Sequence, residues 1–370
     1  MLSPNSARFH LVPTGETSRR QSLAEGLPIS ETAEIWGFAG DPVDPLDQAK
    51  QTTEAPGFYH QPVMASEVVA VFATVPAGVV LDATLGGGGH SELLLMQHPH
   101  LQILGIDRDE QALRAASQRL ARFGSRFQMY HCRFDHLRHA MTATHNSTLS
   151  GALFDLGVSS PQLDHGERGF SYRHDAPLDM RMDATDTLSA FDIVNNYSEA
   201  DLARVLDEFG DERFARRIAK AIVAQRPIST TSALAEIIVT AIPAAARRTG
   251  GHPAKRSFQA IRIEVNSELA VLPDALNSAI QATSPGGRVA VLSYHSGEDR
   301  IAKGVFRSAL TGDCSCPSGL PCVCGAVRLV RAVRKVPKHA RASEVDVNRR
   351  ASSAIFRVVE RTNEFQAGVK

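Results

Sequence analysis

The stretch VVLDATLGGGGHSELLL, residues 79–95, limits the fold more than any other part of the chain. An apolar run ends in Asp82, four glycines follow, and His90 opens a segment of helical character. A glycine-rich turn from a strand into a helix offers backbone N–H groups and a helix N-terminus, an arrangement suited to nucleotides. With no side chains over Gly86, Gly87, Gly88 and Gly89, a ligand can come close to the backbone.

The surrounding pattern is α/β. Residues 63–75 carry apolar positions at helical spacing. Strands are expected at 79–84, 101–107, 127–131 and 151–156, with a helix over 109–122. Such alternation predicts a parallel sheet with helices on both faces and ligands beyond the carboxyl ends of the strands. From 164 to 265 the alternation stops. Helices are expected from Ser198, a candidate N-cap with Asp201 completing a capping box, to about Phe209, with Gly210 as terminator. Two more are expected at 211–226, stopped by Pro227, and 231–242, stopped by Pro243. The sheet resumes at 287–294, a helix follows at 298–310, and 354–361 reads as a last, edge-proximal strand. The division is therefore 57–163 plus 266–370 for the sheet domain and 164–265 for an inserted helical subdomain. Residues 1–56, rich in Ser, Thr, Pro, Glu and Asp, read as a mostly disordered extension.

No apolar stretch reaches bilayer-spanning length, and the first thirty residues lack a signal core, so a cytoplasmic protein is expected. Five cysteines in 370 residues make no disulfide framework and fit a reducing compartment. The formal net charge of zero, taken alone, argues against a nucleic-acid binder. Its distribution argues the other way. Residues 204–262 carry eleven bases and five acids, and 328–370 carry eleven bases and four acids. These regions are either a phosphate-attracting surface or solvated helix faces.

The dinucleotide fingerprint G-x-G-x-x-G fails at position 91, which is Ser91, and no Gly-Lys-Ser/Thr follows to make a P-loop. Asp107, ending the second strand, is placed for ribose hydroxyls, as in enzymes of NAD and of S-adenosylmethionine (SAM). Asp82 separates the two, because a cationic sulfonium tolerates a carboxylate that would repel a pyrophosphate. The loop thus favours SAM; the alternative is a structural turn with no ligand.

Seven segments then carry a specific likeness: HQPVM (60–64), DATLGGGGHS (82–91), GIDRDEQAL (105–113), LFDLGVSSPQLDHGERGFSYRHDAPLDMRMD (153–183), FGDERFARRIAKAIV (209–223), HPAKRSFQAIRIEVNSEL (252–269) and SPGGRVAVLSYHSGEDR (284–300). In this order they resemble the bacterial SAM-dependent methyltransferases that modify the exocyclic N4 of a decoding-centre cytosine in 16S ribosomal RNA. The resemblance spans about residues 58–362. It implies a Rossmann-like class I methyltransferase sheet with an inserted all-helical subdomain, SAM as cofactor, and 16S rRNA or the small ribosomal subunit as partner. Carried over by position, the cofactor residues are Gly88, Gly89, His90, Asp107, Phe134, Asp155 and Gln162. His90 can instead cap its helix, and Phe134 can instead be core. Two departures stand out. Gly297 in HSGEDR replaces an apolar residue, which is expected to loosen the turn into the next helix. NRRASSA (348–354) lacks a proline and an arginine of the family pattern, which puts contacts by that tail in doubt.

Cytosine's amino group is a poor nucleophile, so the site needs an acceptor for its N–H, near-linear approach to the methyl and a sink for the proton. The sulfonium is already an activated leaving group, so no metal is expected in the reaction. Candidates at the cleft are Asp155, Ser159, Ser160, Asp179, Arg181 and His295, with Asp179 and His295 as possible proton acceptors. The alternative for Asp179, Arg181 and Asp183 is an ion-pair network bracing the insertion. Arg213, Arg216, Arg217, Lys220, Lys255, Arg256 and Arg262 are candidates for gripping RNA, or are solvated. CSCPSGLPCVC places Cys314, Cys316, Cys322 and Cys324 close together. The set can bind zinc or form reversible disulfides, but the tight C-x-C spacing favours an unligated loop. Two other readings remain: a methylase of DNA or a small molecule, and a SAM-fold assembly or RNA-binding factor without turnover.

Overall fold

The computed structural model describes residues 62–157, 166–248, 251–317 and 322–366. The expected extension 1–56 and the candidates Ser159, Ser160 and Gln162 lie outside the described residues.

The first half alternates as expected. Helix α1 (Ala65–Phe72) precedes β1 (Gly78–Asp82); α2 (Gly89–Gln97) leads to β2 (Leu101–Asp107). Helix α3 (Glu110–Leu120) leads to β3 (Phe127–His131), and α4 (Leu137–Ala143) to β4 (Leu149–Asp155). Five helices follow: α5 (Ala190–Asn196), α6 (Glu199–Gly210), α7 (Ala215–Ala224), α8 (Thr231–Ala241) and α9 (Lys255–Asn266). Then come α10 (Leu272–Ala282), β5 (Thr283–Ser293), α11 (Ser296–Thr311), β6 (Val327–Ala332), α12 (Ala342–Val347) and β7 (Ile355–Gln366).

The seven strands form one sheet in the order β3-β2-β1-β4-β5-β7-β6. The first five are parallel, while β7 runs antiparallel to both β5 and β6. Alternate residues of the central strands enter different cores, as a pleated strand requires. Val80, Ile103, Leu153 and Leu292 pack with α1, α2 and α3. Leu81, Leu104, Phe154 and Val291 pack with α4, α10 and α11. Phe72 and Phe154 are fully buried, and each such side chain contributes about 1.5–3 kcal/mol on burial.

Helices α5 to α9 gather around a third cluster, whose buried members run from Phe170 to Val265. Gly210 and α9 cross so closely that a Cβ there would lie 2.8 Å from the Arg256 carbonyl oxygen. None of the described helices is long and apolar enough to cross a membrane.

Several expectations need correction. Gly210 is the last helical residue of α6, and Asp211, in the left-handed region at φ 48°, turns the chain. Helix α7 consequently starts at Ala215 rather than 211. Ser198 accepts from the Asp201 N–H at 3.1 Å, but the complete capping boxes are those of Ser189 with Asp192 and His295 with Glu298. The sequence pattern missed α9, whose buried residues surround most of its circumference and blur the helical stripe. It also missed β6, where Val330 alone is buried and two arginines interrupt the apolar positions, as on a protected edge. That strand is the true edge, so β7 is one strand in. Gly297 does not loosen its turn. Leu269 fills the space where a Cβ would stand, and His295 caps the helix from Ser296.

Candidate active site

Strands β1, β2 and β4 end in carboxylates on the same edge of the sheet. Asp82 is buried and accepts from Ser91 Oγ at 2.6 Å, so it ties the strand to the first turn of α2. Burial raises its pKa against the lowering effect of Ser91 and His90.

The glycine turn has two separate requirements. Gly86 and Gly88 have φ of 51° and 77°, which side chains disfavour. A Cβ on Gly88 would lie 3.0 Å from Leu120, and one on Gly89 would lie 2.8 Å from Pro62. The turn is therefore crowded from behind by the protein itself. Its carbonyl at Gly87 receives Arg119 Nη1 at 3.0 Å.

Asp107 holds the turn from the side. Its Oδ2 accepts from the Gly86 N–H at 2.7 Å and Oδ1 from the Asp109 N–H at 2.9 Å. Burial nevertheless pushes its carboxyl up to about 6, outweighing those two backbone bonds. A carboxylate has about four lone-pair sites, so two remain for hydroxyl donors. Phe134 stands half-buried in the turn after β3, edge-on to Phe154 with ring centroids 6.0 Å apart.

Asp155 is the most elaborated of the three acids. Its Oδ1 accepts from the Tyr294 hydroxyl at 2.6 Å, and Oδ2 lies 3.4 Å from His90 Nε2. Its own N–H donates to Thr84 Oγ1 at 2.7 Å. Burial, reinforced by Asp155, holds the Tyr294 phenol far above its ordinary pKa, so it remains a donor. His90 is buried in the first turn of α2, behind the N-cap Gly88, and both ring nitrogens lack a hydrogen-bond partner among the described residues. A buried imidazole facing a carboxylate, acidic strand ends and a half-buried aromatic ring together suit a cationic nucleoside donor such as SAM.

Residues 57–362 match the MraW methylase family. The chain belongs to that family. A ribosomal RNA small subunit methyltransferase H of Symbiobacterium thermophilum is 49% identical over 307 residues, covering 82% of this chain and 96% of the relative. The protein of the same name from Thermobifida fusca is 47% identical over 331 residues, covering 87% of this chain and 99% of the relative. That from Paenibacillus sp. is 47% identical over 315 residues, with 82% and 99% covered. As a member of the MraW methylase family, the chain is a SAM-dependent methyltransferase.

Two of the sequence-expected residues, Asp179 and His295, have neighbouring side chains against them. Asp179 receives Arg181 Nε at 2.7 Å and Nη2 at 2.9 Å. Its burial favours protonation, but the Arg181 bonds prevail and hold it below the usual carboxylate range. Arg181 also donates to the carbonyls of Ala184 and Asp186. The Asp179–Arg181 pair of the alternative is present, while Asp183 accepts from Thr185 instead. His295 is the N-cap of α11: Nδ1 accepts from the Glu298 N–H, and Nε2 lies 3.0 Å from Glu298 Oε1. Its Nδ1 serves the helix start.

The basic candidates also divide. Arg213, Arg216, Arg217, Lys220, Lys255 and Arg256 are exposed. Arg262 is not available, because Glu268 holds it through two bonds of 2.8 and 2.9 Å.

Sequence reasoning missed the residues that seat the helical block on the sheet. Arg108, the neighbour of Asp107, donates to the Asn266 carbonyl, to Asn266 Oδ1 and to Asp186. Asn266 is buried, and its amide also receives the Met182 N–H and donates to the carbonyls of Met180 and Arg262. Arg168 pairs with Asp109, the N-cap of α3, and Ser296 donates to Asp211 at 2.6 Å. The signal available in the sequence was an asparagine inside an otherwise apolar helical face. Asn266→Ala removes one of the three Arg108 bonds and takes the partners of the Met182 N–H and the Met180 carbonyl. Its unfolding free energy in urea is expected to fall by about 3 kcal/mol with an unchanged m-value; a loss under about 0.5 kcal/mol would show that the junction contributes little.

Proposed function

We propose that this chain transfers the methyl group of SAM to the exocyclic N4 of a cytosine in 16S ribosomal RNA. The curated relatives bear the name ribosomal RNA small subunit methyltransferase H. The observation that carries the chemistry is Asp155, fixed by Tyr294 on one oxygen and facing His90 with the other. Bound SAM supplies a methyl already activated by its sulfonium. Asp155 accepts an N–H of the amino group, which turns the nitrogen lone pair toward the methyl. The Tyr294 hydroxyl stops the carboxylate from rotating, so alignment is set before the base arrives. The proton released on transfer passes to Asp155 or to water. In this reading Gly88, Gly89, His90, Asp107 and Phe134 hold the cofactor together with Asp155, and Gln162 joins them on its motif alone.

The helical block 164–265 is the substrate-recognition subdomain in this proposal. Its exposed Arg213, Arg216, Arg217, Lys220, Lys255 and Arg256 meet RNA phosphates, while the target base turns out of its stack to reach Asp155. Arg256 donates to the Asp211 carbonyl, and Asp211 in turn contacts Ser296 beside β5. That chain of contacts links the basic corner to the sheet end bearing Asp155. An enzyme with this substrate works in the cytoplasm, on free RNA or on the small subunit.

Four experiments test the reading. With tritiated SAM, label is expected in the N4 of one small-subunit rRNA cytosine, from naked RNA or assembled subunits, and none in DNA. Label only in DNA overturns the RNA assignment, and SAM binding without any transfer favours a factor without turnover. Asp155→Ala is expected to weaken S-adenosylhomocysteine binding and cut kcat about 10²–10⁴-fold; unaltered affinity or unaltered kcat removes the corresponding role.

The Asp107 pKa sets a pH dependence. Its carboxyl titrates at about 6 in the fold and near 3.8 otherwise. The folded state therefore binds this proton more readily, and its contribution to stability falls as pH rises through that window. Cofactor binding runs oppositely, because ribose hydroxyls donate to the ionised form. Affinity for S-adenosylhomocysteine is expected to drop about tenfold from pH 7.5 to 5. Asp107→Asn should bind weakly with a flatter profile, which separates this effect from any due to His90. A pH-independent wild-type affinity excludes the role.

Charge reversal tests the basic face. The triple change Arg216→Glu, Arg217→Glu and Lys220→Glu is expected to weaken RNA binding and to make the slope of log Kd against log salt shallower by about two to three. S-adenosylhomocysteine affinity stays constant. An unchanged slope means that these side chains are merely solvated.

A further inference from the structure

The four cysteines of CSCPSGLPCVC lie between the end of α11 and the start of β6. The fold gathers their sulfurs at one point. Cys314 Sγ is 3.5 Å from Cys322 Sγ and 3.7 Å from Cys324 Sγ; Cys322 Sγ is 3.5 Å from Cys324 Sγ and 4.0 Å from Cys316 Sγ. All four lie within 4.8 Å of one another. A zinc ion with Zn–S bonds of about 2.3 Å at the centre of a tetrahedron requires sulfur separations of about 3.8 Å. The four recorded separations bracket that value. A disulfide requires about 2.05 Å and pairs sulfurs two by two, whereas here Cys322 is near three others at once.

We propose that Cys314, Cys316, Cys322 and Cys324 bind one zinc ion as a tetrathiolate structural site. The tight C-x-C spacing favoured an unligated loop when read from sequence. The gathered sulfurs argue against that reading: the two cysteine pairs lie on either side of the loop, so the short spacing within each pair does not limit the tetrahedron. The backbone supports the ligand set. The Val323 N–H points at Cys316 Sγ from 3.3 Å, where it stabilises a thiolate. At the base of the loop, Gly312 in the left-handed conformation ends α11 against the Val327 backbone, where a Cβ would lie 2.5 Å from the Val327 oxygen. Among the described residues of the loop, little apolar surface is buried. Val323 is 89% exposed, and Ala326 is buried only at its foot. A metal ion supplies the centre that side-chain burial does not.

The site is structural because of its position. Strand β6 is antiparallel to β7, which is antiparallel to β5, so β6 begins at the amino-terminal edge of the sheet. The acids of the methyl-transfer site stand at the opposite edge. On binding, four thiols give up protons to solvent and four Zn–S bonds form, with no change of oxidation state.

The test uses the full chain purified with a non-thiol reductant. Elemental analysis is expected to find one zinc per chain. Cobalt exchanged into the site should show thiolate-to-metal charge-transfer bands and the visible bands of tetrahedral cobalt. Cys314→Ser with Cys324→Ser is expected to lose the metal while keeping wild-type S-adenosylhomocysteine affinity. If that variant fails to fold, the wild-type stoichiometry and cobalt spectrum still decide. Absence of zinc together with no tight uptake on titration overturns the site. Native disulfides among these cysteines, found by mass mapping under non-reducing conditions, overturn it as well.

Discussion

The geometry of the site depends on where the Arg108 guanidinium is held. It follows Asp107 directly, yet all its recorded bonds go across to the helical block, to Asn266 and Asp186. A single peptide unit thus carries one side chain that fastens the glycine turn and one that fastens the subdomain. Any shift of α9 is transmitted to the strand end that shapes the turn. The arrangement suits a two-substrate reaction, in which a misplacement of about 1 Å between the reacting atoms costs about a hundredfold in rate. Asn266 makes it rigid. Its amide group spends every donor and acceptor inside the protein, so a displaced rotamer leaves buried groups unpaired.

Charge is sorted along the same axis. The strand ends carry Asp82, Asp107 and Asp155, while exposed arginines and lysines collect on α7 and the start of α9. A cationic donor and a polyanionic acceptor would be drawn to different parts of such a surface. The zero net charge conceals this because the two populations cancel. Arg262 shows why counting bases overestimates the RNA surface. It belongs to the basic segment, but Glu268 engages it inside the fold.

Much of this was legible in the sequence, and the reason differs between residues. The glycine turn, Asp107 and Asp155 could be found because strand ends are marked by local pattern and because the resemblance ran in order through them. The parallel half of the sheet was legible for the same reason. Helix α9 and strand β6 were not, since each departs from the simple periodicity that signals its class: α9 is buried too widely, and β6 is a charged edge. Asp179 and His295 were read from residue type alone, and each has a partner close by in sequence. A carboxylate two residues from an arginine, and a histidine three residues before a glutamate, can satisfy each other locally. In the fold they do. Pairings across long stretches, such as Tyr294 with Asp155 or Arg108 with Asn266, leave no mark in a single sequence.

The sheet's two edges along the strand direction then divide the work. At the carboxyl ends, backbone and acids are arranged around positions that must remain accessible to cofactor and base. At the amino ends nothing needs access, and the chain can be fastened as tightly as its composition permits. On the β5-β7-β6 side, Glu360 lies between Arg288 and Arg331 in cross-strand register, joining three strands through one carboxylate. In strand β6 only Val330 is buried on this edge. An ion triad and four gathered cysteines are what remain when burial is scarce, and both leave the opposite edge free for chemistry.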